Sequence, residues 1–200
     1  MRLRSAMRLL AAPVVVALLM SGAARAAGGS AEFIADLGTQ AIKVLASPDS
    51  EQERERQFRA LFDAGFDVPA IARFSLGRYW QTANDAQRTE FTGLFTAYMV
   101  HVYAVRFNEF TGQQLKVTGS RPESDNSSLV SSQMSSGGEQ GVKIDWRVAT
   151  AVNGFKITDL VVEGISMAVT QRQEFSAVIS RNGGDIEALL KLLRQKARQS

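Results

Sequence analysis

The chain has 200 residues, of which 45% are hydrophobic, and this length suits one domain with a full apolar core. It contains 23 Lys and Arg, 20 Asp and Glu and no Cys, so disulfide bonds and thiolate metal sites are excluded. Residues 1–26 hold four of the basic residues and no acid, which leaves 19 basic and 20 acidic residues in the rest, net −1. A nucleic-acid-binding surface needs a basic cluster, and this charge balance argues against one.

The first 26 residues are typical of a secretory signal peptide. Three arginines precede an apolar segment, Leu9 to Met20, which at twelve residues is too short to span a bilayer. Ala24-Arg25-Ala26 then has the pattern of an A-x-A cleavage site. We therefore expect the leader to be removed and residues 27–200 to form one soluble periplasmic domain; an uncleaved membrane anchor is the alternative.

Residues 27–111 are predicted to be helical. Apolar residues recur at helical spacing from Ala31 to Leu45, and the next helix turns Phe58, Leu61 and Phe62 inward. The later helix starts are marked by capping residues, namely Ser50, Asp67, and Asn84 or Asp85. The last of these helices is expected to reach about Phe110. From Leu94 to Val105 it is apolar on all sides except at Thr96 and His101, which indicates burial or contact with lipid.

After Gly112 the apolar period changes from 3.6 to 2, which predicts strands over residues 113–164. We expect four strands, with Asn153-Gly154 as a hairpin turn before the last one. Helices follow over residues 170–198, and Asp185 is the predicted cap of the final helix. The predicted fold class is α+β, a four-stranded antiparallel sheet covered by helices.

The sequence offers little for catalysis. His101 is the single histidine, and we interpret it as a packed helix residue, so His-based metal sites and a Ser-His-Asp triad are disfavoured. Asp145, Asp159 and Glu163 could form an acid–base pair, but strand alternation places Asp145 on the polar, solvent-facing side opposite Trp146. Apolar side chains dominate instead, and their pattern alone does not distinguish a filled core from a lined pocket.

Several short blocks resemble one known family. They are Phe66-Asp67, Ile71-Ala72-Arg73, Leu76-Gly77-Arg78-Tyr79-Trp80, Asp145-Trp146-Arg147 and the segment from Val161 to Met167. On these blocks the chain resembles the toluene-tolerance family, the periplasmic lipid-binding components of the Mla phospholipid transport system. A hopanoid-associated branch of that family is the nearest alternative. The similarity covers nearly the whole chain after the leader and is weakest at residues 124–138.

The resemblance implies a strongly twisted sheet with an internal apolar cavity between it and the helices. It implies a carrier without catalysis, cofactor or metal, which holds phospholipid acyl chains in the cavity and turns the head group to solvent. Such a carrier moves lipid between an outer-membrane lipoprotein–porin complex and an inner-membrane ABC transporter with an MCE-domain subunit, and so maintains outer-membrane lipid asymmetry. We expect it to act as a monomer.

The resemblance also directs attention to the apolar residues of the long helix, the strands and the last part of the chain. The expected cavity wall is Leu94, Phe95, Tyr98, Met99, Val102, Tyr103, Trp146, Val148, Val161, Met167 and Phe175. Arg73, Arg78 and Arg147 are candidates for contact with a head group or a partner, with ordinary salt bridges as the alternative. Two other classes stay open: an enzyme on a related cone-shaped α+β fold, which needs a carboxylate inside the pocket, and an adaptor that binds only proteins and has a filled core.

Overall fold

A computed structural model describes residues 21–104, 112–136 and 141–197. Most of the predicted signal peptide, the predicted end of the long helix near Phe110 and the last part of the segment 124–138 lie outside these ranges. The helix α1 spans Ser21–Leu45 and so includes the predicted cleavage site. The signal peptide therefore stays a prediction. Over the described residues, no helix has the length and apolar character needed to cross a bilayer.

Four further helices precede the sheet: α2 (Glu51–Gly65), α3 (Val68–Leu76), α4 (Tyr79–Thr82) and α5 (Asp85–Ala104). The predicted caps are present. The Ser50 hydroxyl accepts a hydrogen bond from the backbone amide of Glu53, and the Asp67 carboxylate accepts one from the backbone amide of Ala70. At the start of α5, Asn84 is the capping residue, because its side chain and that of Gln87 each accept from the other's backbone amide. The short helix α4 was not predicted.

Gly77 ends α3 in a conformation that requires glycine. Its φ is 61°, and a Cβ there would lie 2.9 Å from Nε of Arg172 in the helix α6 (Met167–Arg181). The backbone angle therefore favours glycine, and a larger residue would also displace the Arg172 side chain. The glycine brings α3 close to α6 and lets the chain turn directly into α4.

Within the described residues, the sheet has five strands rather than the four predicted. They are β1 (Gln114–Ser124), β2 (Ser127–Ser135), β3 (Val142–Ala151), β4 (Gly154–Val162) and β5 (Ile165–Ser166), antiparallel and in sequence order. The fifth strand has two residues, too few to show alternation. It follows a two-residue turn in which Glu163 and Gly164 both have positive φ, 49° and 83°, as a type I′ hairpin requires.

Two details of the sheet also differ from expectation. The loop between β3 and β4 consists of Val152 and Asn153, because Ala151 pairs with Gly154, so the turn begins one residue earlier than predicted. In addition, the β3–β4 register shifts after Arg147, where Asp159 pairs with Arg147 but Ile157 pairs with Val148. Thr158 is the extra residue of this β-bulge, which reverses the alternation along β4.

The chain ends with α6 and α7 (Ile186–Ala197). Helix α6 begins at Met167, earlier than the predicted 170, because the Ser166 hydroxyl accepts from the amide of Val169 and so caps it. The Asp185 carboxylate accepts from the amide of Glu187 at the start of α7, as predicted.

Two apolar clusters hold these layers together. The larger one joins the helices, with Phe175 at its centre; the Phe175 ring meets those of Phe91 and Phe95 edge-on, at centroid distances of 5.7 and 6.3 Å. The smaller one packs α1 against the sheet through Ile34, Val130, Val148 and Ile157. Phe66 packs against both clusters. A cavity lined by residues of both clusters lies between the helices and the sheet.

Candidate functional site

A cavity of about 440 Å³ lies between the helices and the sheet. Nearly all of its wall is apolar. The helices contribute most of it: Leu37, Gly38, Ala41, Ile42 and Leu45 from α1, Phe58, Leu61 and Phe62 from α2, Phe66 and Ile71 around the start of α3, Phe95, Met99 and Tyr103 from α5, and Met167, Ala168 and Gln171 from α6. The sheet completes it with Leu115, Met134, Ile144, Trp146, Asp159 and Leu160, together with Gln113 just before β1.

Helical spacing explains how α1 forms one wall. Its five wall residues recur at intervals of three or four positions, or as neighbours, so they share one face of the helix. On the same helix Ile34 turns to the sheet cluster, and Gly38 lets Leu115 approach, since a Cβ at Gly38 would lie 2.5 Å from a methyl carbon of Leu115. Helix α1 therefore covers the sheet with one part and borders the cavity with the rest.

The apolar surface of α5 is divided between core and cavity. Phe95, Met99 and Tyr103 follow one another at intervals of four and line the cavity. Phe91 and Val100, both almost fully buried, pack into the helical cluster. The second half of α5 is apolar on nearly all sides because it has both a packed partner and an open space beside it.

Of the eleven residues expected to form the wall, five line the cavity: Phe95, Met99, Tyr103, Trp146 and Met167. The others lie elsewhere. Leu94, Tyr98 and Phe175 pack in the helical cluster, and Val148, which is 1% exposed, belongs to the sheet cluster. Val102 and Val161 are half-buried and off the wall. That the five wall residues bind lipid stays a prediction.

The bulge at Thr158 explains why Val161 is not among the wall residues. Uninterrupted alternation puts Ile157 and Val161 on the same face. After the bulge, however, Leu160 pairs with Trp146 and lines the cavity, whereas Val161 pairs with Asp145. No sequence signal marks Thr158 as the extra residue.

The walls supplied by α1 and α2 were missed for a different reason. Their apolar stripes are visible in the sequence, and Phe58, Leu61 and Phe62 were already expected to face inward. A stripe that borders a cavity has the same composition as one that borders another helix. The sequence therefore predicts the inward face but not the space in front of it.

One charged side chain lies at the wall. Asp159 is 8% exposed, and its two oxygens accept four hydrogen bonds: from the Arg147 guanidinium at 2.8 Å and the Ser166 hydroxyl at 2.7 Å, and from the backbone amides of Leu160 and Ala168. Arg147 also forms a salt bridge with Glu123 at 3.2 Å. The pKa of Arg147 is raised mainly by Glu123 and to a smaller extent by Asp159. Asp159 thus ties the start of α6 to β3 and β4.

Asp145 is buried, 9% exposed, rather than open to solvent as expected. It lies on the strand face opposite Trp146, but the Ser131 hydroxyl at 2.6 Å and the Lys143 ammonium at 3.0 Å enclose it. Burial acts to raise the pKa of this carboxyl. The hydrogen bond from Ser131 and the contact with Lys143 together outweigh burial, so the pKa is lowered.

The three candidate arginines do not form part of the wall. Arg73 is exposed in the last turn of α3. Arg78 donates to the Tyr79 hydroxyl at 2.9 Å, and the same hydroxyl shares a 2.8 Å hydrogen bond with Ser180. Both hydrogen bonds lower the pKa of Tyr79, and the one with Ser180 has the larger effect. A head-group role for the arginines stays a prediction. Within the described residues, no group of three or more His, Cys, Asp and Glu could hold a metal ion.

Two comparisons place this architecture among known proteins. The family model described as MlaC protein matches residues 35–195. The fold is similar to that of a phospholipid-binding protein from Ralstonia solanacearum, whose structure was solved with a phospholipid, at a TM-score of 0.76 and 22% identity. The alignment covers 84% of this chain and 97% of the other. Since the family model spans most of the sequence, the chain belongs to the MlaC family, which confirms the resemblance seen in residues 76–80 and 162–166.

Proposed function

We propose that this protein is a lipid carrier of the cell envelope that holds phospholipid acyl chains in the cavity between its helices and sheet. The observation that carries the proposal is the cavity itself, about 440 Å³ with an almost wholly apolar wall. This volume is in the range of sites that enclose small ligands. A charged or strongly polar ligand would lose its hydration in such an apolar space without gaining partners, whereas hydrocarbon binds there favourably.

Burial of hydrocarbon explains how such a carrier can retain lipid in water and still exchange it with a membrane. Each buried methylene contributes about 0.8 kcal/mol, so one acyl chain of roughly fifteen methylenes would gain on the order of 12 kcal/mol over water. That corresponds to a dissociation constant of about 1 nM, so little lipid is lost to water. A bilayer offers acyl chains nearly the same burial. Transfer between membrane and cavity is therefore close to balance, and contacts with partners can set its direction.

Family membership supports the wider role. We propose that the protein moves lipid between an outer-membrane lipoprotein–porin complex and an inner-membrane ABC transporter with an MCE-domain subunit, acting in the periplasm after cleavage of the leader. The phospholipid in the Ralstonia protein of the same fold supports phospholipid as cargo. Hopanoid cargo is the alternative within this class.

An enzyme is the second candidate, because it needs a carboxylate inside the pocket and Asp159 is one of the wall residues. A general base needs a lone pair free to take a proton from the substrate. Asp159 instead accepts four hydrogen bonds that hold α6, β3 and β4 together. This arrangement favours a structural role for the carboxylate and supports the carrier.

The direct test is the lipid content of the purified protein. Full-length protein produced in cells that export it is purified without detergent and extracted with organic solvent, and the extract is quantified by mass spectrometry. We expect phospholipid in near-stoichiometric amount. Extracts that hold no lipid above the level of an exported control protein would refute the carrier.

A further inference from the structure

The cavity wall reaches solvent at the end of the sheet where β2 finishes and β3 begins. Met134 lines the cavity and is nevertheless 38% exposed. Val142 pairs with Met134 across β2 and β3 and is 45% exposed. Ile165 is 59% exposed, and the turn before it is held to the start of β3 by a hydrogen bond from the Glu163 amide to the Lys143 carbonyl. We call Met134, Val142 and Ile165 the apolar rim.

The strand register places the apolar rim on the same face of the sheet as the cavity wall. Residues directly opposite each other in antiparallel strands share a face. Met134 itself lines the cavity, and Val142 is its partner. Ile165 pairs with Val162, which in turn pairs with the wall residue Ile144. The apolar surface of the cavity therefore continues, without a change of face, into side chains that meet solvent.

The other face of this end of the sheet is polar. Lys116 pairs with Gln133, and Gln133 pairs with Lys143, so these three residues form a row on the opposite side of the strands from Met134 and its partners. Lys143 forms a salt bridge with Asp145 at 3.0 Å, and the Glu163 carboxylate accepts a hydrogen bond from the Lys143 amide. The end of the sheet is thus amphipathic, with apolar side chains toward the cavity and lysines behind them.

A lipid bilayer fits this surface better than a protein does. The three side chains of the apolar rim are far fewer than the roughly 20–30 residues that each partner contributes to a stable protein–protein interface. Hydrocarbon, in contrast, is the proposed content of the cavity that the rim continues. Lysines beside an apolar edge can extend their ammonium groups to lipid phosphates. A lipid that passes between the rim and a bilayer keeps its acyl chains out of water.

Resting on the proposed function, we infer that the apolar rim docks directly on the surface of a phospholipid bilayer. Met134, Val142 and Ile165 enter the boundary between head groups and acyl chains, as the apolar face of an interfacial helix does. Lys116 and Lys143 then face the phosphates of the head groups. The cavity opens onto the acyl region in this position, so lipid moves between bilayer and cavity on contact and without a protein partner.

The test measures how a fluorescent phospholipid leaves the protein. Purified protein loaded with dansyl-phosphatidylethanolamine is mixed with phosphatidylcholine vesicles, which carry no net charge, and the fluorescence change gives the transfer rate of the loaded molecules alone. The wild type is compared with Val142→Glu and Ile165→Glu, neither of which changes a wall residue. Val152→Glu is the matched control, because Val152 is an exposed valine in the loop after β3, at the opposite end of the sheet.

We expect the wild-type rate to rise in proportion to the vesicle concentration, because transfer occurs in collisions. Val142→Glu and Ile165→Glu should transfer lipid at least about tenfold more slowly, since docking would bury an unpaired carboxylate. Val152→Glu should match the wild type.

Two results would overturn the inference and leave the carrier intact: a wild-type rate that does not depend on vesicle concentration, or equal rates in all four proteins. Loaded wild-type protein that passes no lipid to vesicles would also overturn it and would favour a protein partner at this surface. If the wild-type protein holds no phospholipid, labelled or natural, the proposed function itself is wrong.

Discussion

The helical core and the cavity wall are built from the same kinds of residue but differ in what stands opposite them. At Phe175, the ring of Phe91 packs edge-on at a centroid distance of 5.7 Å, and Phe91 is fully buried. Around Trp146 and Leu160, the facing helices α1 and α2 stand back and leave about 440 Å³. Apolar composition therefore indicates an inward face, and only the distance to the opposing layer decides whether it becomes core or pocket.

The largest expected effect is the loss of a core ring. Phe175→Ala should lower the free energy of unfolding by about 3–5 kcal/mol, because it removes a large side chain from a closed cluster and leaves a new void. Leu160→Ala should cost less than half as much, since Leu160 already borders a space. Urea unfolding of the two variants measures the difference. Equal losses would mean that the wall is packed as tightly as the core.

The next effect concerns the charged side chain at the wall. Asp159→Asn should lower the free energy of unfolding by about 2 kcal/mol, because an amide cannot accept the four hydrogen bonds now made to two carboxylate oxygens. Lipid content per folded protein should stay at the wild-type level. An enzymatic role would predict the opposite pattern, an activity lost with stability retained.

The pH dependence of stability tests the role of Asp145, which lies on the sheet face opposite Trp146. The pKa of Asp145 is lowered in the folded state, so its contribution to stability is present at neutral pH and is lost as the pH falls through that lowered value. Asp145→Asn should therefore be less stable than the wild type above about pH 5, and the difference should shrink below about pH 4. Asp125→Asn, at an exposed turn, is the control. A difference that stays constant down to pH 2 would rule out this titration.

The smallest expected effect has the opposite sign. In lipid-free protein, Gln171→Leu should raise the free energy of unfolding by about 1 kcal/mol, because it removes a buried oxygen without a hydrogen-bond partner and adds apolar surface. Gln173→Leu should change stability by less than about 0.5 kcal/mol. Thermal unfolding of delipidated samples gives both values. Destabilisation by Gln171→Leu would show that the amide is satisfied within the protein.

Local chemistry could be predicted from the sequence where one side chain decides the outcome. Helix starts are marked by side chains that accept a hydrogen bond from a nearby backbone amide, namely Ser50, Asp67 and Asp185. The antiparallel order of the strands follows from the short turns between them. The same local view failed at Thr158 and at β5, because pairing with β3 and β4 determines both. The cavity wall could be predicted only in part for the same reason: spacing identifies a face, and only tertiary packing shows what that face meets.

The cavity can be filled from α1 with little disturbance of the core. Ala41 lines the cavity, and Ala35 is exposed on the same helix, so Ala41→Trp and Ala35→Trp add the same ring in two different places. Both variants should fold, since the first ring enters existing space and the second faces solvent.

Phospholipid bound per molecule, measured on wild type, Ala41→Trp and Ala35→Trp purified in parallel, tests the central claim most directly. We predict near-stoichiometric lipid in the wild type and in Ala35→Trp, and a loss of most of it in Ala41→Trp with an unchanged circular dichroism spectrum. Full lipid content in a folded Ala41→Trp protein would contradict the assignment of this cavity as the place where acyl chains bind.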